Sequence, residues 1–226
     1  MKKVEVIVIA EGQTEEAFIK QVVAPALHHL QVFLKPQLLN TSKTAQGGAV
    51  SFDRLKRNAS NTLKQHPDAV LSTFLDLYGL RTDFPGFEES KQKSDVYARV
   101  RYLQEEMSQA IVEQVKCRPE RFMAHIQPYE FEGLLFSDVK ALCSIEPTWA
   151  KSLPHLEKIR TAVVTPEHIN DSIETKPSKR LEKLLKPKYQ KTTHGPTAAK
   201  KITLEVMEIE CVHFKKWMDT LRKLAP

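Results

Sequence analysis

Three carboxylates stand where a parallel sheet would place its chemistry. Glu11 follows the apolar run at residues 4–9, Asp76 follows 69–75, and Glu130 follows 122–127. In open α/β sheets, ligands bind beyond the carboxyl ends of the strands. Brought to ~4 Å, each ionised pair would repel by roughly 4 kcal/mol at an effective dielectric near 20. A fold keeps such a cluster when a cation or a raised pKa relieves it. Oxygen ligands with no nearby His or Cys motif favour Mg²⁺ or Mn²⁺ over zinc. Either metal directs the expectation to phosphate chemistry, where it polarises the phosphoryl group and activates water.

Glu11 and Asp76 are expected with carboxyl oxygens roughly 4–6 Å apart, given Mg–O distances of about 2.1 Å. Glu15 falls in the first turn of a helix that begins near Gln13. There it either faces the same site or serves the positive helix end. Glu132 lies two residues from Glu130. The pair shares a face on a strand and diverges by about 200° on a helix. Gly133-Leu134-Leu135 looks helical, so Glu130 is expected to approach Glu11 and Asp76 more closely than Glu132 does. Asp83 lies in a turn-forming stretch. Gly12 and Gly79 permit tight turns beside Glu11 and Asp76. No GxxxxGK[ST] or GxGxxG occurs, so the usual nucleotide-binding signals are missing.

The elements that must position these residues read as α/β. The run 4–9 is apolar on both faces except Glu5, as in a central parallel strand. Thr14 is the expected N-cap of the next helix, with Phe18, Val22, Pro25/Ala26 and Leu30 on one stripe. Residues 32–39 form a second strand that Pro36 pushes to an edge. Residues 40–50, with Gly47-Gly48, read as a loop, and Phe52–Gln65 as a basic amphipathic helix. A buried strand at 69–75, a long helix at 95–115 and a short fourth strand at 122–127 follow. The expected fold is a mostly parallel sheet of about four strands with helices on both faces. A core of residues 1–140 would be followed by a helical basic region, 141–226, packed on it, with a last helix at 212–224.

Charge separates the two parts. Residues 1–150 carry net −1 and residues 151–226 net +7, within a chain total of +6. Segment 176–201 holds nine basic residues and one acid. That asymmetry points to an anionic partner, most often nucleic acid, and the competing account is a solvated helix face. Lys179, Arg180, Lys183 and Lys188 are the expected phosphate contacts beside the carboxylates. Hydrophobic residues make up 41% and charged residues 27% of the 226, which excludes wholesale disorder. No apolar run approaches the ~18–20 residues of a membrane span. The opening MKKVEVIVIAEG reads as a first strand, not an export signal. Three cysteines without CxxC spacing make neither a disulfide framework nor a zinc site, so a reducing cytoplasm is the expected setting.

Glu11-Gly12-Gln13-Thr14-Glu15 after a hydrophobic strand, with Asp76 after a later one, resembles the Toprim domain of topoisomerases, primases and overcoming-lysogenization-defect nucleases. Asp76-Leu77-Tyr78-Gly79-Leu80, Asp83-Phe84-Pro85-Gly86, the run from Tyr129 to Phe136, Pro177-Ser178-Lys179-Arg180-Leu181 and Cys211–Trp217 resemble more specifically a Toprim-like bacterial family. It is catalogued as domain of unknown function 4276, and the resemblance spans nearly the whole chain. It implies Mg²⁺ binding and phosphodiester chemistry, with Glu11 as general acid/base or ligand and Asp76 as ligand. The wider superfamily has a DxD pair where this chain has Tyr78, so Glu130 or Glu132 would replace the missing carboxylate. Nucleases of this type also use a later lysine, for which Lys188 and Lys191, ahead of His194-Gly195, stand in position. Lys188, Lys191 or His194 would stabilise transition-state charge or protonate the leaving oxygen.

Two readings stay open. One is a metal-dependent nuclease acting on DNA or RNA, within a bacterial defence system. The other is a non-catalytic subunit that binds nucleic acid or a partner ATPase.

Overall fold

Strand β1 (Val4–Ala10) is buried from both sides, and that dictates three layers. Val6, Val8 and Ala10 join one apolar cluster, while Ile7 and Ile9 join the other. Side chains alternate across a strand, so each cluster occupies one face of the sheet. In the computed structural model, which describes residues 3–39, 49–170 and 172–226, every strand pairing is parallel. β2 (Val32–Leu38) flanks β1 on the outer side and β3 (Val70–Asp76) on the inner. Two short strands, β4 (Phe122–Met123) and β5 (Ile126–Gln127), both pair with β3. The expected α/β sheet and the edge position of β2 are as observed.

The single strand expected at 122–127 is broken in two. Thr73 Oγ1 donates to the His125 carbonyl at 2.8 Å and accepts the His125 N–H at 2.9 Å. One hydroxyl thereby pairs both backbone groups of His125 at the kink.

Helix α1 (Gln13–Phe18) runs through a π turn, Ile19–Val23, into α2 (Ala24–Leu27). The wide turn shifts the buried face to Phe18, Ile19, Val23 and Leu27, so Pro25 is exposed and the expected stripe is corrected. Gly12, not Thr14, is the N-cap, and Thr14 is buried in the first turn. The expected 40–50 loop lies outside the described residues, save for its last two.

α3 (Phe52–Gln65), the short α4 (Phe87–Ser90) and α5 (Val96–Val115) cover one face. Ser51 Oγ accepts the Arg54 N–H and Asp83 accepts the Phe52 N–H, so Asp83 serves the start of α3. The other face carries α1 and α2 together with α6 (Val139–Cys143), α7 (Leu153–Thr161), α8 (Pro177–Leu184), α9 (Lys191–Ile202), α10 (Leu204–Glu210) and α11 (Val212–Arg222).

Phe18, Phe74, Phe131 and Phe214 meet at the centre of that face, with centroids 5.0–6.5 Å apart. Such pairs add about 0.5–1.5 kcal/mol each beyond their area. Trp217 Nε1 donates to Ser72 Oγ at 3.0 Å, which satisfies two polar groups in the interior. The buried Glu167 accepts the first N–H groups of α11, from His213 and Phe214, at 2.9 and 3.0 Å. A carboxylate is favourable at that positive helix end.

Candidate functional site

β1 and β3 are neighbours in register, Ala10 opposite Phe74, so Glu11 and Asp76 leave the sheet at the same end. Glu11 Oε2 accepts the Asp76 N–H at 3.2 Å. Asp76 Oδ1 in turn accepts the Phe131 N–H at 2.8 Å, which ties the end of β3 to the chain that bears Glu130 and Glu132. Gly79 packs directly on the Glu11 carboxylate, and a Cβ there would overlap Glu11 Oε2. Gly79→Ala is expected to swing Glu11 off the Asp76 amide and lower stability by about 1–3 kcal/mol. Chemical denaturation checks this, and an unchanged midpoint would show that Glu11 moves freely.

Glu130 is extended, with φ −148° and ψ 154°, and ends the segment after β5. Tyr129 before it holds φ 56°, a left-handed conformation uncommon outside glycine and asparagine. A 3₁₀ helix, Phe131–Asp138, follows. The extended residue and tight turn keep both glutamates on the site, which corrects the expected divergence of Glu132. Oxygen atoms of Asp76, Glu130 and Glu132 lie within 4.8 Å of one another. Glu130 and Glu132 are thus both members of the cluster. Glu15 completes the group, and its carboxyl is raised in part by the charge of Glu11.

Two lysines answer these acids. Lys176 Nζ lies 2.7 Å from Glu130, and Lys191 Nζ lies 3.4 Å from Glu130 and 3.2 Å from Glu132. Glu130 also accepts the Ser178 N–H at 3.0 Å, in the first turn of α8. Tyr189 donates to Glu132 Oε1 at 3.5 Å. Lys176 and Tyr189 belong to no motif of the sequence, and Ser178 enters only within the Pro177–Leu181 stretch of the family resemblance, without a role. Lys176-Pro177 carries the available signal: Pro at the first helical position marks a helix start, and such a start attracts an anion.

Five carboxyl groups against two ammonium groups leave an excess of negative charge. Burial pushes Glu15 and Glu132 up to about 7, with Glu11 adding to the rise at Glu15 and Glu130 at Glu132. Burial raises Asp76 well above its ordinary value, with Glu11 adding to it, and raises Glu11 too. At Glu130 burial acts the same way, but Lys191, Lys176 and Ser178 outweigh it and the carboxyl is lowered. Burial opposes the Lys191 charge, yet Glu132 and Glu130 prevail and its pKa is raised.

Lys191→Ala is expected to cost about 1–3 kcal/mol at about pH 8, discounted because the lysine is 39% exposed. The cost should shrink near pH 5.5, where Glu132 is protonated. Denaturant midpoints at both pH values check the sign.

His194 is turned to structure: its Nδ1 accepts the Gln190 N–H at 2.9 Å and its ring meets Trp149 edge-on. Lys179 and Lys188 lie 3.6 and 3.2 Å from Glu182. Arg180 Nε donates to the Thr175 carbonyl, and Lys183 is exposed on α8. Of the nine basic residues in 176–201, Lys176 and Lys191 therefore neutralise the acids. Tyr78 hydroxyl accepts from Asn170, and its ring centroid lies 5.5 Å from that of Tyr129.

A parallel α/β sheet that gathers buried carboxylates past its strand ends defines the class. The chain belongs to the family described as Domain of unknown function (DUF4276), whose model matches residues 10–222. No curated protein and no solved structure matches it.

Proposed function

We propose that this protein is a divalent-cation-dependent phosphodiester hydrolase acting on nucleic acid, of the Toprim type that its strand-end motifs resemble. The acidic cluster carries this reading: three carboxylates, the burial-raised Glu132 among them, offer oxygens within 4.8 Å, and a cation would relieve the repulsion that they share with Glu15. That donor set fits Mg²⁺ or Mn²⁺, which take oxygen ligands. Asp76, Glu130 and Glu132 would hold the ion, with Glu11 and Glu15 beside it. When bound, it supplies charge neutralisation at a phosphate and an activated water.

The chain's own groups divide the remaining work. Glu132 supplies the carboxylate that Tyr78 does not. Glu11, anchored by the Asp76 amide and raised by burial, is placed to accept a proton from water. Lys191 keeps a positive charge beside Glu130 and Glu132 and offsets negative charge that develops on a phosphate. The exposed Lys179, Lys183 and Lys188, with Arg180, would contact the phosphate backbone.

The test is incubation of the pure protein with single- and double-stranded DNA and with RNA, in Mg²⁺, Mn²⁺ or EDTA. Metal-dependent cleavage of at least one supports the reading. Binding without cleavage favours a second reading, a non-catalytic subunit that holds nucleic acid or a partner ATPase within a defence system. Lys176 and Lys191 support that alternative, since they already partner Glu130.

Replacing Lys179, Arg180 and Lys183 by Ala is expected to weaken nucleic-acid binding for every sequence alike, because phosphate contacts carry no base information. The log–log salt slope should fall by about 0.9 for each duplex phosphate the variant no longer neutralises. A slope equal to that of the parent would place the phosphate-binding surface elsewhere.

A further inference from the structure

A cleft of about 230 Å³ opens between α5 and α11, over the kink that separates β4 from β5. It is small against the roughly 300–1,000 Å³ of drug-sized sites. Four rings line it in one column: Tyr97, His213, His125 and Trp217. Successive centroids are 6.2, 5.1 and 4.9 Å apart, with interplanar angles of 19°, 22° and 23°. Hydrogen bonds hold the column in place. Trp217 donates to Ser72, and His213 Nε2 meets Gln104 Oε1 at 2.9 Å and the Ile126 carbonyl at 3.0 Å.

The charge of the cleft has one sign. Arg101 from α5 and Lys216 from α11 line it, and no Asp or Glu does. Both are exposed, and neither makes an ion pair among the described residues. Burial keeps the imidazoles neutral: His213 is pushed down to about 4, and His125 lies well below its ordinary value. The positive charge therefore belongs to Arg101 and Lys216. Gln104 spends its carbonyl oxygen on the Ile126 N–H and on His213, which leaves its amide N–H groups as further donors.

Aromatic walls, two unpaired cations and a spare amide donor suit a flat ring that carries a dianion. We propose that this cleft binds a nucleoside monophosphate, with the base against the aromatic and Met123 side and the phosphate between Arg101 and Lys216. A phosphate monoester carries about −1.5 to −2 charges at neutral pH, which matches the two cations. The cleft is separate from the acidic cluster, which would repel the same ligand.

Equilibrium dialysis in EDTA with adenosine, guanosine, cytidine and uridine 5′-monophosphates tests this on the full chain. Saturable binding of at least one is expected, weakened about tenfold or more in Arg101→Ala/Lys216→Ala. Both residues are exposed, so the variant should keep its fold. The free nucleoside and inorganic phosphate should each bind more weakly than the monophosphate. A dinucleotide with a 5′-phosphate, set against its 5′-hydroxyl counterpart, separates a free nucleotide from a strand end as the source. Binding of none of the monophosphates, or equal binding by the double variant, overturns the proposal.

Discussion

Asp76→Asn is expected to make the protein more stable and inactive at once. Asp76 is buried, and burial with the Glu11, Glu15 and Glu132 charges holds its pKa well up. Its ionised form is therefore costly to the fold. Asparagine keeps an oxygen to accept the Phe131 N–H, so the tie between β3 and the glutamate segment survives. It also adds donors toward neighbours that are acceptors. We expect a gain of about 0.5–2 kcal/mol in the metal-free protein at about pH 8. Metal-dependent hydrolysis should fall by about a thousandfold or more, because the cluster acts as a unit. Glu132→Gln should behave alike. Denaturation and cleavage measured on one preparation decide it: lower stability with full activity would mean that Asp76 serves the fold and not the chemistry.

The second large effect is on pH dependence. Glu15 and Glu132 titrate at about 7 in the fold, against 4.5 as their ordinary value. Between those values the unfolded chain has lost these protons while the folded chain retains them. Stability therefore falls as pH rises from about 4.5 to 7, by about 1.4 kcal/mol per pH unit for each proton held in excess. Glu130 has the opposite sign, since its lowered pKa gives stability that is lost as pH falls through it. It titrates below the window in question. Mg²⁺ or Mn²⁺ competes with the retained protons, so added metal should raise the melting temperature strongly near pH 8 and little near pH 5.5. Binding should release protons. A metal effect of equal size at both pH values would remove Glu15 and Glu132 from the site.

The centre of the sheet is legible in the sequence because β1 and β3 are short, largely apolar on both faces and end at or next to a carboxylate. The rule that chemistry lies past strand ends then finds Glu11, Asp76 and Glu130. Glu132 escapes it because the residues after Glu130 look helical, whereas a 3₁₀ turn begins there from an extended residue, and the two differ by a single backbone conformation. Lys176 stays hidden inside a charge run, where only the proline after it marks the helix start that meets Glu130. The kink at His125 escapes for a related reason. The hydroxyl that pairs both of its backbone groups belongs to Thr73, far away along the chain.

The pairing of Lys176 and Lys191 with Glu130 and Glu132 has a consequence for how the protein is made. A ribosome delivers every carboxylate of the cluster before either lysine emerges. The Glu167 that caps α11 likewise waits for His213 and Phe214, and Ser72 waits for Trp217. Domains commonly fold from the N-terminus as they appear. Here the nascent first half meets its counter-charges and the rest of its core only after residues 176–217 have emerged. Closure of the acidic cluster by its two lysines thus follows synthesis of the sheet that bears it.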